Sequence, residues 1–137
     1  MASTAIVYKT IYGVTKKYAQ WLSKELKCPV FEIDSVDLDS LKKFNTIIVM
    51  SGTYAAKMPL TAFLKNNWET LKSKKLVAVA VGAAPENNWW SKISYFFIPS
   101  FIKKKIKYFK IHGPYKGMGE QPKKENLNRV ISYLKKK

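Results

Sequence analysis

The sequence TIIVM at residues 46–50 is an unbroken run of apolar and β-branched residues. A second run, LVAVAV, occupies residues 76–81, and a shorter one, AIVY, occupies residues 5–8. Runs without polar alternation are typical of strands that helices cover on both faces. The three runs therefore predict a parallel sheet in an α/β fold.

Apolar residues at helical spacing separate these runs. Ser51 and Gly52 are expected to end the strand at residues 46–50. The remaining expected elements are helices at about residues 14–27, 59–71, 93–106 (interrupted at Pro99) and 127–134, and strands at residues 30–33 and 108–111. This order predicts a three-layer, doubly wound, five-stranded parallel sheet in the order 2-1-3-4-5, within one domain of residues 1–137.

The composition fits a single folded domain. The chain has 137 residues, 47% of them hydrophobic, so it can bury a core without a disulfide or metal. Cys28 is the only cysteine, which excludes an intramolecular disulfide and a structural zinc site of cysteines. We recognise no leader sequence and no run of roughly 20 apolar residues, so a cytoplasmic location is expected.

The charge is strongly basic and unevenly distributed. Twenty-five Lys and Arg against nine Asp and Glu give a net charge of +16. From Phe101 to the end there are twelve basic residues and two acids, so +10 of the charge lies there. Such a field favours phosphate groups, anionic lipid, an acidic protein or nucleic acid as partners. The alternative is a solvated, lysine-rich surface without a specific partner.

The first candidate site is the loop Thr10-Ile11-Tyr12-Gly13-Val14-Thr15, which joins the first strand to a helix. Ligands of doubly wound sheets bind where the strand order reverses, here between strands 1 and 3. Free N–H groups and the dipole at the helix start favour an anion, and the hydroxyls of Thr10 and Thr15 can donate to phosphate oxygens. Alternatively, a threonine merely caps the helix and Gly13 makes the turn.

Two motifs give the chain a family resemblance. The spacing Thr-x-x-Gly-x-Thr resembles the phosphate loop of flavodoxins. Residues 49–58, VMSGTYAAKM, are similar to the loop after strand 3 in short flavodoxin-domain proteins, a family that includes the flavodoxin-type, quinone-dependent protoporphyrinogen oxidase; Phe63 and Leu64 match its next helix. The resemblance implies that Thr10 to Thr15 hold the phosphate of FMN. It also implies that the ring lies beside Ser51, Gly52, Thr53 and Tyr54, with Tyr54 stacked on it or packed on the next helix.

The loop after the fourth strand should approach the other side of the flavin. Its candidate residues are Gly82, Ala83, Ala84, Asn87, Trp89 and Trp90. The two tryptophans either cover the ring or anchor the following helix. This loop differs from the acidic, aromatic loops of electron-carrier flavodoxins, and the basic charge of the chain also departs from those acidic proteins.

The segment YFFIPSFIKKK at residues 95–105 places large apolar residues directly before three lysines. This pattern is typical of a segment at an anionic membrane surface, and the alternative is that its side chains cover the sheet. His112 is the only histidine, and no catalytic triad or carboxylate pair accompanies it.

We therefore expect an FMN-binding electron-transfer protein. Its partner would be a redox protein or a small-molecule or quinone substrate. We further expect peripheral association with an anionic membrane, at the inner membrane face. The alternative is a flavin-dependent oxidoreductase resembling the protoporphyrinogen oxidase. A third interpretation is a flavin-free basic binding module. Nucleic acid is disfavoured as a partner because the tail lysines are not interleaved with aromatic residues.

Overall fold

The computed structural model describes residues 3–10, 13–52, 58–82, 92, 95–96, 98–112 and 123–135. Its strands are β1 (Thr4–Lys9), β2 (Val30–Glu32), β3 (Thr46–Gly52), β4 (Lys75–Gly82) and β5 (Ile106–His112). Its helices are α1 (Val14–Leu26), α2 (Leu38–Leu41), α3 (Pro59–Asn66), α4 (Trp68–Leu71), α5 (Ser100–Lys103) and α6 (Asn128–Lys135), with a 3₁₀ helix at Lys124–Leu127.

All five strands are parallel and pair in the order β2-β1-β3-β4-β5, which confirms the predicted topology. The central strands are buried on both faces, as their unbroken apolar sequences predicted. One core cluster joins a sheet face to α1, the 3₁₀ helix and α6. The other joins the opposite face to α2, α3, α4 and α5, so the predicted three layers are confirmed.

The register aligns the carboxyl ends of the strands on one edge. Lys9 of β1 lies opposite Ser51 of β3, Gly52 opposite Val81, and Gly82 opposite His112 of β5. The connections that follow β1, β3 and β4 therefore leave from the same edge, where doubly wound folds bind their ligands.

Several element boundaries differ from the prediction. Ser51 and Gly52 do not end the third strand but belong to it, because both pair with β4. The helix expected at residues 59–71 is divided at Asn67, whose backbone leaves the helical region. The backbone N–H and the side-chain amide of Asn67 both donate to the carbonyl of Phe63, at 3.2 Å and 2.9 Å, and these bonds close the end of α3.

The helix predicted at residues 93–106 is interrupted at Pro99 as expected, with Tyr95 and Phe96 helical before the interruption, but it does not reach residue 106. Pro99 has an extended ψ of 145°, and the helix that follows it, α5, is only four residues long. The last strand then begins at Ile106, two residues earlier than expected. None of the helices in the described ranges has the length and apolar character that a membrane span needs.

Candidate functional site

The candidate site lies at the carboxyl edge of the sheet, between the ends of β1, β3 and β4. Seven of the predicted site residues belong to the described chain. They are Thr10, Gly13, Val14, Thr15, Ser51, Gly52 and Gly82. The other nine predicted residues lie outside the described residues. They are Ile11, Tyr12, Thr53, Tyr54, Ala83, Ala84, Asn87, Trp89 and Trp90.

The turn between β1 and α1 depends on Gly13. Its φ of 86° and ψ of −12° lie in the left-handed region, which costs an L-residue with a Cβ roughly 1–2 kcal/mol. A Cβ added there would meet nothing within 4 Å, so the requirement for glycine is conformational rather than steric. The Gly13 N–H donates to the Thr10 hydroxyl oxygen at 2.9 Å, and this bond closes the turn.

The start of α1 is suited to an anion. The first intrahelical hydrogen bond runs from the Lys17 N–H to the Gly13 carbonyl (3.1 Å), so the N–H groups of the three preceding residues have no helical carbonyl to donate to. Among the described residues no side chain caps this end, and the first turn contains no acid. Lys16 is exposed in the same turn. The helix dipole and Lys16 therefore both place positive charge here.

The two threonines predicted to hold a phosphate differ in their surroundings. Thr10 is half-buried, and its bond from Gly13 uses a hydroxyl lone pair, which leaves the O–H to donate. Thr15 is 3% exposed, so in this conformation its hydroxyl does not face solvent. Among the described residues of the loop, the Thr10 hydroxyl is thus the accessible side-chain donor.

At the end of β3, Ser51 connects the strand to α3. Its side chain is fully buried, and its hydroxyl accepts from the Leu60 N–H (3.2 Å) and donates to the Gly52 carbonyl (3.2 Å). The Ser51 hydroxyl therefore links the end of β3 to the start of α3. This structural role was not foreseen from the sequence, because the partner lies nine residues away.

Two glycines end the neighbouring strands β3 and β4 at this edge. Gly52 pairs with Val81, so Gly82 is one residue beyond it along the adjacent strand. Gly52 is buried and Gly82 half-buried. Neither carries a side chain, and at the half-buried Gly82 a flat ligand can approach the backbone closely.

A groove that the sequence analysis missed lies beside the ends of β1 and β2. It encloses about 450 Å³ between the β2–α2 connection and α3. An ion pair between Lys9 and Asp34 lies on its polar side. Its apolar lining comes from Ile33, Val36, Leu38, Pro59 and Phe63. No local pattern indicates this groove, since its walls come from two segments about 25 residues apart.

Burial changes the acidity of two side chains. It raises the pKa of Tyr8, two residues before Thr10, and the nearby Glu32 carboxylate raises that pKa further. Burial also raises the pKa of the Cys28 thiol, so the thiol stays protonated at neutral pH. Cys28 accordingly packs, partly buried, against the core cluster that includes α1.

Comparison with known proteins identifies the family to which this chain belongs. A sequence model described as "Flavodoxin domain" matches residues 5–119. The chain belongs to the flavodoxin-domain family. This membership agrees with the five-stranded parallel sheet and with the position of the first loop at the start of α1. No curated protein matches the chain significantly.

Solved flavodoxin structures resemble this flavodoxin domain over nearly its whole length. A flavodoxin from the domain Archaea is 21% identical, with a TM-score of 0.60, and 95% of this chain and 92% of that chain are covered. A short-chain flavodoxin associated with a non-canonical PDU bacterial microcompartment is 19% identical (TM-score 0.66; coverage 97% and 94%). Oxidised flavodoxin 2 from Bacillus cereus is 16% identical (TM-score 0.62; coverage 96% and 94%). At these identities the likeness shows a common fold.

Proposed function

We propose that this flavodoxin-domain protein binds FMN at the carboxyl edge of its sheet and transfers electrons through it. The observation that carries the proposal is the start of α1, where a left-handed Gly13 replaces a capping side chain and no acid occupies the first turn. This anion-suited helix start lies at the reversal of strand order, in a chain of the flavodoxin-domain family.

The residues of the first loop fit the phosphate of FMN. The N–H groups of Val14, Thr15 and Lys16 and the Thr10 hydroxyl would donate to its oxygens, and the Lys16 charge would add a screened attraction. The buried Thr15 hydroxyl would reach the phosphate only after the turn at Thr10 to Gly13 rearranges. We therefore expect Thr10 to contribute more to FMN affinity than the Thr15 side chain.

The ends of β3 and β4 fit the isoalloxazine ring. The half-buried Gly82 would leave the backbone at this edge accessible to a flat group, and the Ser51 hydroxyl links the end of β3 to the start of α3. The roles of Tyr54, Trp89 and Trp90 in covering the ring remain predictions from the sequence. The bound flavin would supply the electron chemistry, while this chain binds it, orients it and limits its contact with water.

Titration of the protein with FMN and with riboflavin, followed by flavin fluorescence, tests the proposal. Two phosphate hydrogen bonds contribute roughly 1.5 kcal/mol each, so FMN should bind more tightly than riboflavin by on the order of 100-fold. Thr10→Val should weaken FMN binding by roughly tenfold and leave riboflavin affinity unchanged, because the lost contact is to the phosphate. Equal affinities for the two flavins would contradict the assignment of the first loop.

The groove beside Lys9 and Asp34 favours a second candidate function. A groove of about 450 Å³ with a mixed polar and apolar lining is the size of site that small organic molecules occupy, and Lys9 on its polar side directly precedes Thr10 of the first loop. In that case the protein is an FMN-dependent oxidoreductase acting on a small molecule such as a quinone. Multiple turnovers with a quinone and a reductant as the only co-substrates would distinguish this enzyme from a carrier that needs a protein partner.

A further inference from the structure

Three aromatic side chains on the connection between β4 and β5 are strongly exposed. Phe96 is 72% exposed, Phe101 is 50% exposed and Tyr95 is 39% exposed, and they are the large apolar side chains that stand out at the described surface. Lys103, Lys104 and Lys105 follow them in the chain. We call these six residues the aromatic–lysine patch.

Contacts within the patch place rings and charge side by side. The Lys103 ammonium nitrogen lies 4.7 Å from the centre of the Tyr95 ring and 5.5 Å from that of Phe96. It also donates to the Phe96 carbonyl at 3.3 Å. Phe101 packs edge-on against Trp68 of α4, with ring centres 5.6 Å apart. Lys103 therefore joins positive charge directly to the Tyr95 and Phe96 rings, and Phe101 and the other two lysines lie on the same short segment, residues 95–105.

The patch is exposed because other side chains of the same segment fill the core. Ile98 is 1% exposed and Ile102 is fully buried, and both belong to the core cluster beneath α5. The segment thus covers the sheet with its aliphatic residues and directs Phe96 and Phe101 outward. Removing a phenylalanine ring from water is favourable, so neighbouring exposed rings indicate a surface that associates with an apolar partner.

The charge around the patch is of one sign. Residues 92–112 contain six lysines and no acid. On the adjacent α4, the Glu69 carboxylate already pairs with Lys72 at 2.7 Å. Apart from Glu86 earlier in the same connection, no acid of the segment offsets this positive charge, so an anionic surface is the complement of the patch.

We propose that the aromatic–lysine patch docks this protein onto an anionic membrane surface. The Phe96 and Phe101 rings would enter the interface between headgroups and acyl chains, while Lys103, Lys104 and Lys105 contact the headgroups. A bilayer accepts protruding rings without a shaped pocket, whereas an acidic protein would have to supply one for each ring. The exposed rings are the reason for choosing the membrane over the protein.

Docking in this way would bring the candidate site close to the membrane. Tyr95 packs against Tyr108 with ring centres 4.8 Å apart, and the Tyr108 hydroxyl lies 3.7 Å from the sulfur of Met58. Met58 directly precedes α3 at the carboxyl edge of the sheet. The patch is therefore joined to the edge of the site by a short chain of contacts. The docking itself requires no bound flavin.

Co-sedimentation of the full chain with phospholipid vesicles tests the proposal. At low salt the protein should sediment with vesicles that contain phosphatidylglycerol and not with pure phosphatidylcholine, and added salt should weaken the binding. Exchanging all three patch lysines (K103E/K104E/K105E) should lower the partition coefficient by at least on the order of 100-fold, because each lysine contributes about a fivefold effect.

A matched variant on the opposite side of the sheet controls for net charge. K24E/K27E/K123E makes the same change in charge at three exposed lysines around α1 and the 3₁₀ helix, and it should retain most of the binding. Phe96→Ser with Phe101→Ser should weaken binding by roughly tenfold or more at constant charge. Circular dichroism of each variant should match that of the wild type, since every changed side chain except the partly exposed Lys103 is exposed.

Three outcomes would overturn the proposal. One is an absence of binding to phosphatidylglycerol vesicles at low salt. Another is an equal loss of binding in the two triple-lysine variants, which would show a general charge effect. The third is an absence of vesicle binding together with binding to polyglutamate that the patch variants abolish, which would assign the surface to an acidic protein partner.

Discussion

Gly13 shows how one residue determines the conformation of the proposed phosphate loop. Its backbone is left-handed, with φ at 86°, and its N–H closes the turn on Thr10. The turn at Gly13 was predictable from the sequence, because a strand that leads directly into a helix needs a residue with a permissive backbone. The burial of Thr15 was not predicted, because it depends on how α1 packs on the sheet.

We predict that Gly13→Ala destabilises the protein by roughly 1–2 kcal/mol, because alanine is strained at positive φ. The free energy of unfolding in urea measures the loss. Gly13→Asn is the matched control, since asparagine visits the left-handed region more readily and should lose less. An alanine variant as stable as the wild type would show that the turn readily adopts another conformation.

At the scale of the elements, Ser51 ties the end of β3 to the start of α3. Its fully buried hydroxyl accepts from the Leu60 N–H, so the helix begins at a fixed distance from the sheet. Thr61, the residue after Leu60, offers a contrast. Its buried hydroxyl oxygen has no hydrogen-bond partner among the described residues. The hydroxyls of Ser51 in β3 and Thr61 in α3 therefore differ in what they contribute to stability.

We predict that Ser51→Ala lowers the free energy of unfolding by about 1–3 kcal/mol, because the buried Leu60 N–H loses its acceptor. Thr61→Val should be neutral or stabilising, because it removes a buried polar atom that makes no hydrogen bond to the described part of the chain while keeping the shape. Urea unfolding of the two variants beside the wild type measures both effects. If Thr61→Val proved as costly as Ser51→Ala, the difference in hydrogen bonding would not explain either result.

Boundaries between elements were the least predictable part of the fold. The helix pattern from Pro59 to Leu71 is continuous in sequence, yet Asn67 divides it by bonding its side chain to the Phe63 carbonyl. Ser51 and Gly52 have the composition of a turn, yet pairing with β4 keeps them in a strand. In both places a specific hydrogen bond overrides a local preference.

The dominant property of the whole molecule is its charge of +16. The ion pairs identified among the described residues join Lys9 to Asp34, Lys42 to Asp39, Lys72 to Glu69 and Lys135 to Glu25, and all have at least partly exposed partners. Exposed pairs contribute little to stability, so repulsion among the excess lysines is the larger electrostatic effect.

We predict that sodium chloride raises the urea midpoint of unfolding as its concentration increases from low ionic strength to about 0.15 M, where the Debye length falls to about 8 Å. The K24E/K27E/K123E variant changes each of three charges from +1 to −1 and lowers the net charge from +16 to +10. Its midpoint should therefore depend less on salt. A midpoint that falls with salt in the wild type would show that ion pairs outweigh repulsion.

The sequence by itself determined the architecture of this protein and the location of its candidate site. Unbroken apolar runs at residues 46–50 and 76–81 specify buried parallel strands, and the helices between them fix the order of the sheet. The glycine-containing turn after β1 was also visible in the sequence. These features are predictable because burial and backbone conformation leave a periodic or compositional signal within a few residues.

Only the tertiary structure decided which side chains meet and which remain outside. The ion pair of Lys9 with Asp34 and the bond from Leu60 to Ser51 have no local signature, and the pattern of residues 95–105 left open whether Phe96 and Phe101 are exposed or cover the sheet. Each depends on where packing places a distant segment: Ile98 and Ile102, for example, fill the core under α5 and leave the phenylalanines outward. Contacts between residues far apart in sequence depend on the relative positions of whole elements. A local sequence pattern carries no information about those positions.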